Sequence, residues 1–117
     1  MSVGIGVQTR NKVMFVELNG ELDHHTSEQV RSKLNGVMET DNIEHVVFNL
    51  KRLDFMDSSG IGIILGRYNQ LKERGGLVYV VGLNPAISNV FKLSGLTKIL
   101  NVVEDEKHLA SKLSEAI

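Results

Sequence analysis

The sequence predicts an α/β fold: a mixed, mostly parallel sheet that opens with an antiparallel hairpin and carries about four helices. Three observations predict it. Strand-like and helix-like segments alternate in the order β-β-α-β-α-β-α-β-α, the pattern of right-handed crossovers between parallel strands. Two of the later strand segments have unbroken apolar centres, as strands covered on both faces do. Helix starts and stops are marked by Asn, Thr, Asp, Pro and Gly at the positions those residues favour. No linker, repeat or low-complexity tract interrupts the 117 residues, so one domain is expected over 1–117.

Val3 to Gln8 and Val13 to Leu18 form the hairpin around the polar turn Thr9-Arg-Asn-Lys12. In its second strand Met14, Val16 and Leu18 fall on one face, with Val13 and Phe15 on the other. Thr26-Ser-Glu-Gln29 has the form of a capping box, and Val30, Leu34, Val37 and Met38 follow at helical spacing. The segment Ile43 to Leu50 carries the apolar run Val46 to Phe48. Leu53 to Gly66 then reads as a loop entering a second helix, with Ile61, Ile64, Leu65, Tyr68 and Leu71 as its apolar stripe and Gly75-Gly76 as its stop. Leu77 to Gly82 is a further buried strand. Asn84-Pro85 starts a helix whose inner side is Ile87, Val90 and Phe91, and Gly95 ends it. Lys98 to Val103 reads as a last short strand. Asp105 caps a terminal helix with Leu109, Leu113 and Ile117 on its inner face.

Composition narrows the function classes. There are no cysteines, which removes disulfides, thiolate metal sites and a thiol nucleophile. The formal charge is −1 with the basic residues scattered, so neither nucleic acid nor an anionic membrane surface is an expected partner. No signal peptide and no bilayer-spanning apolar run is visible. A cytoplasmic protein with a protein or small-molecule partner fits.

The informative segment is Phe55-Met-Asp-Ser-Ser-Gly-Ile-Gly62, followed by Gly66. Each glycine inside a helix costs about 1 kcal/mol relative to alanine, so the local chemistry must need them. A dinucleotide site fits poorly. The third glycine arrives one residue late, and Val80-Val81-Gly82 stands where a ribose-binding acid should. A serine hydrolase lacks the leading glycine of a nucleophile elbow. His24-His25 point in different directions and have no third metal ligand at matching spacing. Asp54 and Asp57 lack the acid cluster that a Mg²⁺-dependent phosphoaspartate needs.

A serine that receives chemistry remains. Ser58 and Ser59 enter the helix, and either is a suitable N-cap. A phosphate there would meet unpaired amides and the positive end of the helix dipole. Gly60 and Gly62 would let another backbone approach, and Gly62 with Gly66 would leave a bare strip on one helical face. The other reading is that Ser58 merely caps the helix while the glycines allow tight packing on the sheet. The residues alone leave both open.

Phe55 to Tyr68, Asn19 to Val30 and Leu93 to Leu100 together resemble the STAS-domain anti-anti-sigma factors, in particular the anti-sigma-F factor antagonists of spore-forming bacilli. The resemblance runs the length of the chain. It implies that the unmodified protein binds an anti-sigma factor serine kinase of the histidine-kinase ATPase type and frees the sporulation sigma factor sigma-F. It implies that the kinase phosphorylates Ser58, that the phosphorylated form lets go, and that a membrane-bound serine phosphatase restores it. Asp23, Asp57, Ser59, Gly60 and Gly62 fall on the partner-binding surface. The protein is then a substrate and not an enzyme, a cytoplasmic monomer without cofactor, and its helices lie mainly on one face of the sheet. A regulator of another sigma pathway, such as general stress response, would share the same switch. A small nucleotide-binding protein or enzyme using the glycine-rich turn is the alternative from another class.

Overall fold

The computed structural model describes residues 2–116. Five strands, β1 Val3–Arg10, β2 Val13–Leu22, β3 His45–Met56, β4 Val78–Val81 and β5 Asn101–Val103, form one sheet in sequential order. β1 and β2 are antiparallel, and the remaining pairs are parallel. The helices are α1 Ser27–Thr40, α2 Ser58–Lys72, α3 Pro85–Ser94 and α4 Glu106–Ala116, with a 3-10 turn at Leu96–Lys98. The expected mixed sheet, hairpin and four helices are all present.

The alternation in β2 sorts the core. Met14, Val16 and Leu18 join Val46, Phe48, Val78 and Val80 in one apolar cluster beneath α1, α2 and α3. Val13, Val47, Tyr79 and Val81 face the other way, against Leu109 of α4. The sequential strand order explains the asymmetry. When every crossover has the same hand and each strand adds on the same side, the connecting helices share one face. α4 follows the last strand, belongs to no crossover, and is the helix that packs on the opposite face.

Four local expectations are corrected. Leu53 to Met56, read as loop, extends β3 by pairing with β2 up to Leu22↔Met56. Two register shifts insert extra residues in β3, so Leu50, Leu53 and Met56 are all buried at a spacing of three. The capping box does not form. Thr26 is the N-cap of α1 but its side chain makes no cap bond; its hydroxyl instead donates to the Glu21 carbonyl at 2.8 Å. Leu65, placed in the apolar stripe of α2, is 36% exposed, and Ile63 takes its place inside. Of Lys98 to Val103, only Asn101 onward is strand. α3 starts as read, with Asn84 accepting from the Ile87 amide at 2.8 Å. The inner-face assignment of Ile117 lies outside the described residues.

Candidate functional site

The carboxyl ends of β2 and β3 lie side by side, Leu22 opposite Met56, and the Asp57 amide donates to the Leu22 carbonyl at 3.2 Å. The loop after β2 and the start of α2 are therefore built as one unit, at the strand ends where open α/β sheets place their sites. A third loop joins them: the Asn84 side chain donates to the Leu53 carbonyl at 3.0 Å.

Asp23 organises the first loop. Its Oδ1 accepts from the His25 amide at 2.9 Å and the Thr26 amide at 3.0 Å, while its own amide donates to the Thr26 hydroxyl at 2.9 Å. The side chain faces inward, with 4% of its surface exposed. Its Oδ2 is buried and has no hydrogen-bond partner among the described residues. Burial pushes this carboxyl up, but the Thr26 and His25 amides and the Thr26 hydroxyl stabilise the anion more, so it titrates below the ordinary carboxylate range. His24 and His25 are both exposed, and their rings meet edge-on at 5.6 Å.

Asp57, not a serine, caps α2. Its backbone is extended, at φ −112° and ψ −168°, and its carboxylate accepts from the Ser59 amide at 2.8 Å. Ser58 becomes the first helical residue with its side chain at the surface, and Ser59 is half-buried. The expectation that either serine caps the helix is thus corrected. Asp57 wins because its backbone is already held extended by the bond to Leu22, the conformation an N-cap requires. The amide end of α2 consequently carries a carboxylate before any modification, and a phosphate on Ser58 would stand beside it.

The glycines divide by helical face. Gly60 is buried, and a methyl group there would lie 2.6 Å from Met56 Cγ and 2.9 Å from Leu22 Cδ2. The space that was expected to admit another protein's backbone at Gly60 is filled from within this chain. Gly62 and Gly66 are different. A methyl group at either would meet nothing within 4 Å, so the bare strip exists. Leu65, on the outer side of the same helix, adds exposed apolar surface, and Phe55 at the end of β3 is 42% exposed.

The structure thus brings Asp23, Asp57, Ser58, Ser59, Gly60 and Gly62 to one end of the sheet. It exposes Ser58 and Gly62 and turns Asp23 and Gly60 inward. Sequence reasoning missed Thr26 as a lock on Glu21 and Phe55 as surface. The spacing of three in Leu50, Leu53 and Met56 was the available signal for the second. Among the described residues no helix is long and apolar enough to cross a membrane.

The profile of the STAS domain matches residues 5–116. An anti-sigma F factor antagonist from Paenibacillus polymyxa is 40% identical over 113 residues, 97% of each chain. The structure of the anti-sigma factor antagonist SpoIIAA in its unphosphorylated form is similar with a TM-score of 0.77 at 27% identity, covering 97% of this chain and all of that one. The phosphorylated form of the Bacillus cell fate determinant SpoIIAA gives a TM-score of 0.73 at 30% identity, over 92% of this chain and 98% of that one.

Proposed function

Because this chain belongs to the STAS-domain family, we propose that it is an anti-sigma factor antagonist switched by phosphorylation of Ser58. In this reading the unphosphorylated protein docks on an anti-sigma factor serine kinase and frees a sporulation sigma factor of the sigma-F type. Phosphorylation by that kinase ends the docking, and a serine phosphatase reverses it. The chain acts as a non-enzymatic, single-domain cytoplasmic monomer. The observation that carries the reading is the exposed Ser58 at the first turn of α2 beside the open strip at Gly62 and Gly66. Its relative's name, anti-sigma F factor antagonist, supports the same conclusion.

The site residues then take different parts. Ser58 accepts the phosphoryl group. Ser59 and Gly62 lie on the docking surface, and Asp57 holds the helix end while adding its charge. Asp23 and Gly60 act from beneath, the first by shaping the loop and the second by seating α2 on Leu22 and Met56. Phosphate adds about −1.5 to −2 charges. Because the Asp57 carboxylate already occupies the Ser59 amide, the phosphate is not drawn into the helix end. It remains on the outer surface, where a docked partner must desolvate it next to a like charge.

The test is incubation of the purified chain with candidate anti-sigma kinases and ATP, followed by mass mapping. Phosphate is expected on the peptide carrying Ser58, with Ser58→Ala unmodified but still bound. Ser58→Asp should weaken binding by about tenfold or more, since like-charge juxtaposition at an interface costs several kcal/mol, with an unchanged circular dichroism spectrum. A spectrum that changes globally would refute the local block, and phosphate on Ser59 would reassign the modified residue. Reaction only with a kinase of another sigma pathway would replace the sporulation assignment and keep the switch.

A further inference from the structure

On the face of the sheet opposite α1, α2 and α3, α4 packs over β4 and β5 and leaves an open groove of about 560 Å³ beside it. This falls within the range of about 300–1,000 Å³ typical of small-ligand sites. Its floor includes Phe15, Val47 and Val81, and its wall is the Leu109, Ala110 and Leu113 side of α4. At Gly6 the floor is bare: a methyl group would find only Glu17 Cβ, at 3.9 Å. Phe15 and Leu113 are only partly buried, so apolar surface remains to be covered.

The charges around the groove are not balanced. Glu17 has Arg52 Nε at 3.9 Å, and Glu106 is held by the Lys51 ammonium. Arg10, whose guanidinium lies 5.3 Å above the centre of the Phe15 ring, is in no ion pair among the described residues. The Asn49 carboxamide oxygen accepts from the Lys51 amide at 3.1 Å, which leaves that side chain its N–H donors. Both lining acids have partners, and what stays uncommitted is a cation and a donor next to an apolar trough. We propose that the groove binds a small carboxylate with an apolar body, its head on Arg10 and its body over Phe15 between β1 and α4. This is independent of the proposed switch, which lies at the start of a helix on the other face.

The probe is decanoate, titrated into the full chain and followed by amide chemical shifts. Saturable shifts are expected at Gly6, Gln8, Phe15, Ala110 and Leu113. Decanol and decyltrimethylammonium should bind more weakly. Arg10→Gln should weaken decanoate by about tenfold or more, the loss of a charge-assisted hydrogen bond, while the melting temperature falls by no more than about 4 °C, the loss of an exposed cation–π contact to Phe15. Ala110→Trp should fill the trough and abolish binding. Should that variant not fold, Arg10→Gln and the uncharged probe carry the test. Equal binding of decanoate and decanol, or shifts centred on α2, or no saturable shift at all, would overturn the proposal.

Discussion

Gly60→Ala and Gly62→Ala are the same chemical change two residues apart in one helix, yet they should act in opposite directions. At Gly62 the added methyl meets nothing within 4 Å, so the helix gains about 1 kcal/mol from reduced backbone entropy and nothing opposes it. At Gly60 the same gain is set against contacts of 2.6 Å to Met56 Cγ and 2.9 Å to Leu22 Cδ2. Leu22 is fully buried and Met56 is 4% exposed, and their strands are paired at those residues, so neither can retreat far. Overpacking of this kind costs about 1–3 kcal/mol. The net is a loss of about 0–2 kcal/mol at Gly60 and a gap of about 1–3 kcal/mol between the variants. Urea unfolding at constant m-value measures it. In melting temperature it corresponds to about 4 °C per kcal/mol for a domain of this size. Under the proposed function, Gly62→Ala should also weaken docking of the anti-sigma partner although the protein is more stable. Gly60→Ala matching Gly62→Ala in stability would refute the packing argument.

Three further outcomes follow from the same geometry. Asp57→Ala should cost about 1 kcal/mol of stability through loss of the cap to Ser59, read by urea titration. Asp23 has its folded pKa held below the ordinary value; its stabilising contribution is present above about pH 4 and is lost as pH falls through the lower folded value. Asp23→Asn should therefore flatten the acid limb of a stability-pH curve. In α4 the sign reverses. His108 is raised by its hydrogen bond to the Asp105 carboxylate, so its contribution is present below about pH 6.5 and is lost as pH rises through the higher folded value. Amide protection in the first turn of α4 should fall over that interval in the native chain and not in His108→Gln.

Much of this protein was determined by local pattern. The alternation in Val13 to Leu18 assigned each side chain to its face of the sheet, and Asn84-Pro85 marked the start of α3, because period and capping are decided within a few residues. Three features could only be decided in three dimensions. β3 reaches Met56 because pairing with β2 tolerates two inserted residues, which erases the two-residue period that identifies a strand. Asp57, Ser58 and Ser59 are all competent caps, and the bond from Asp57 to Leu22 selects among them. Gly60 and Gly62 look alike in the chain, but each helical residue turns about 100° from the last. Which one rests on the core and which one faces outward therefore depends on how α2 is rotated against the sheet, a quantity set by packing and not by spacing.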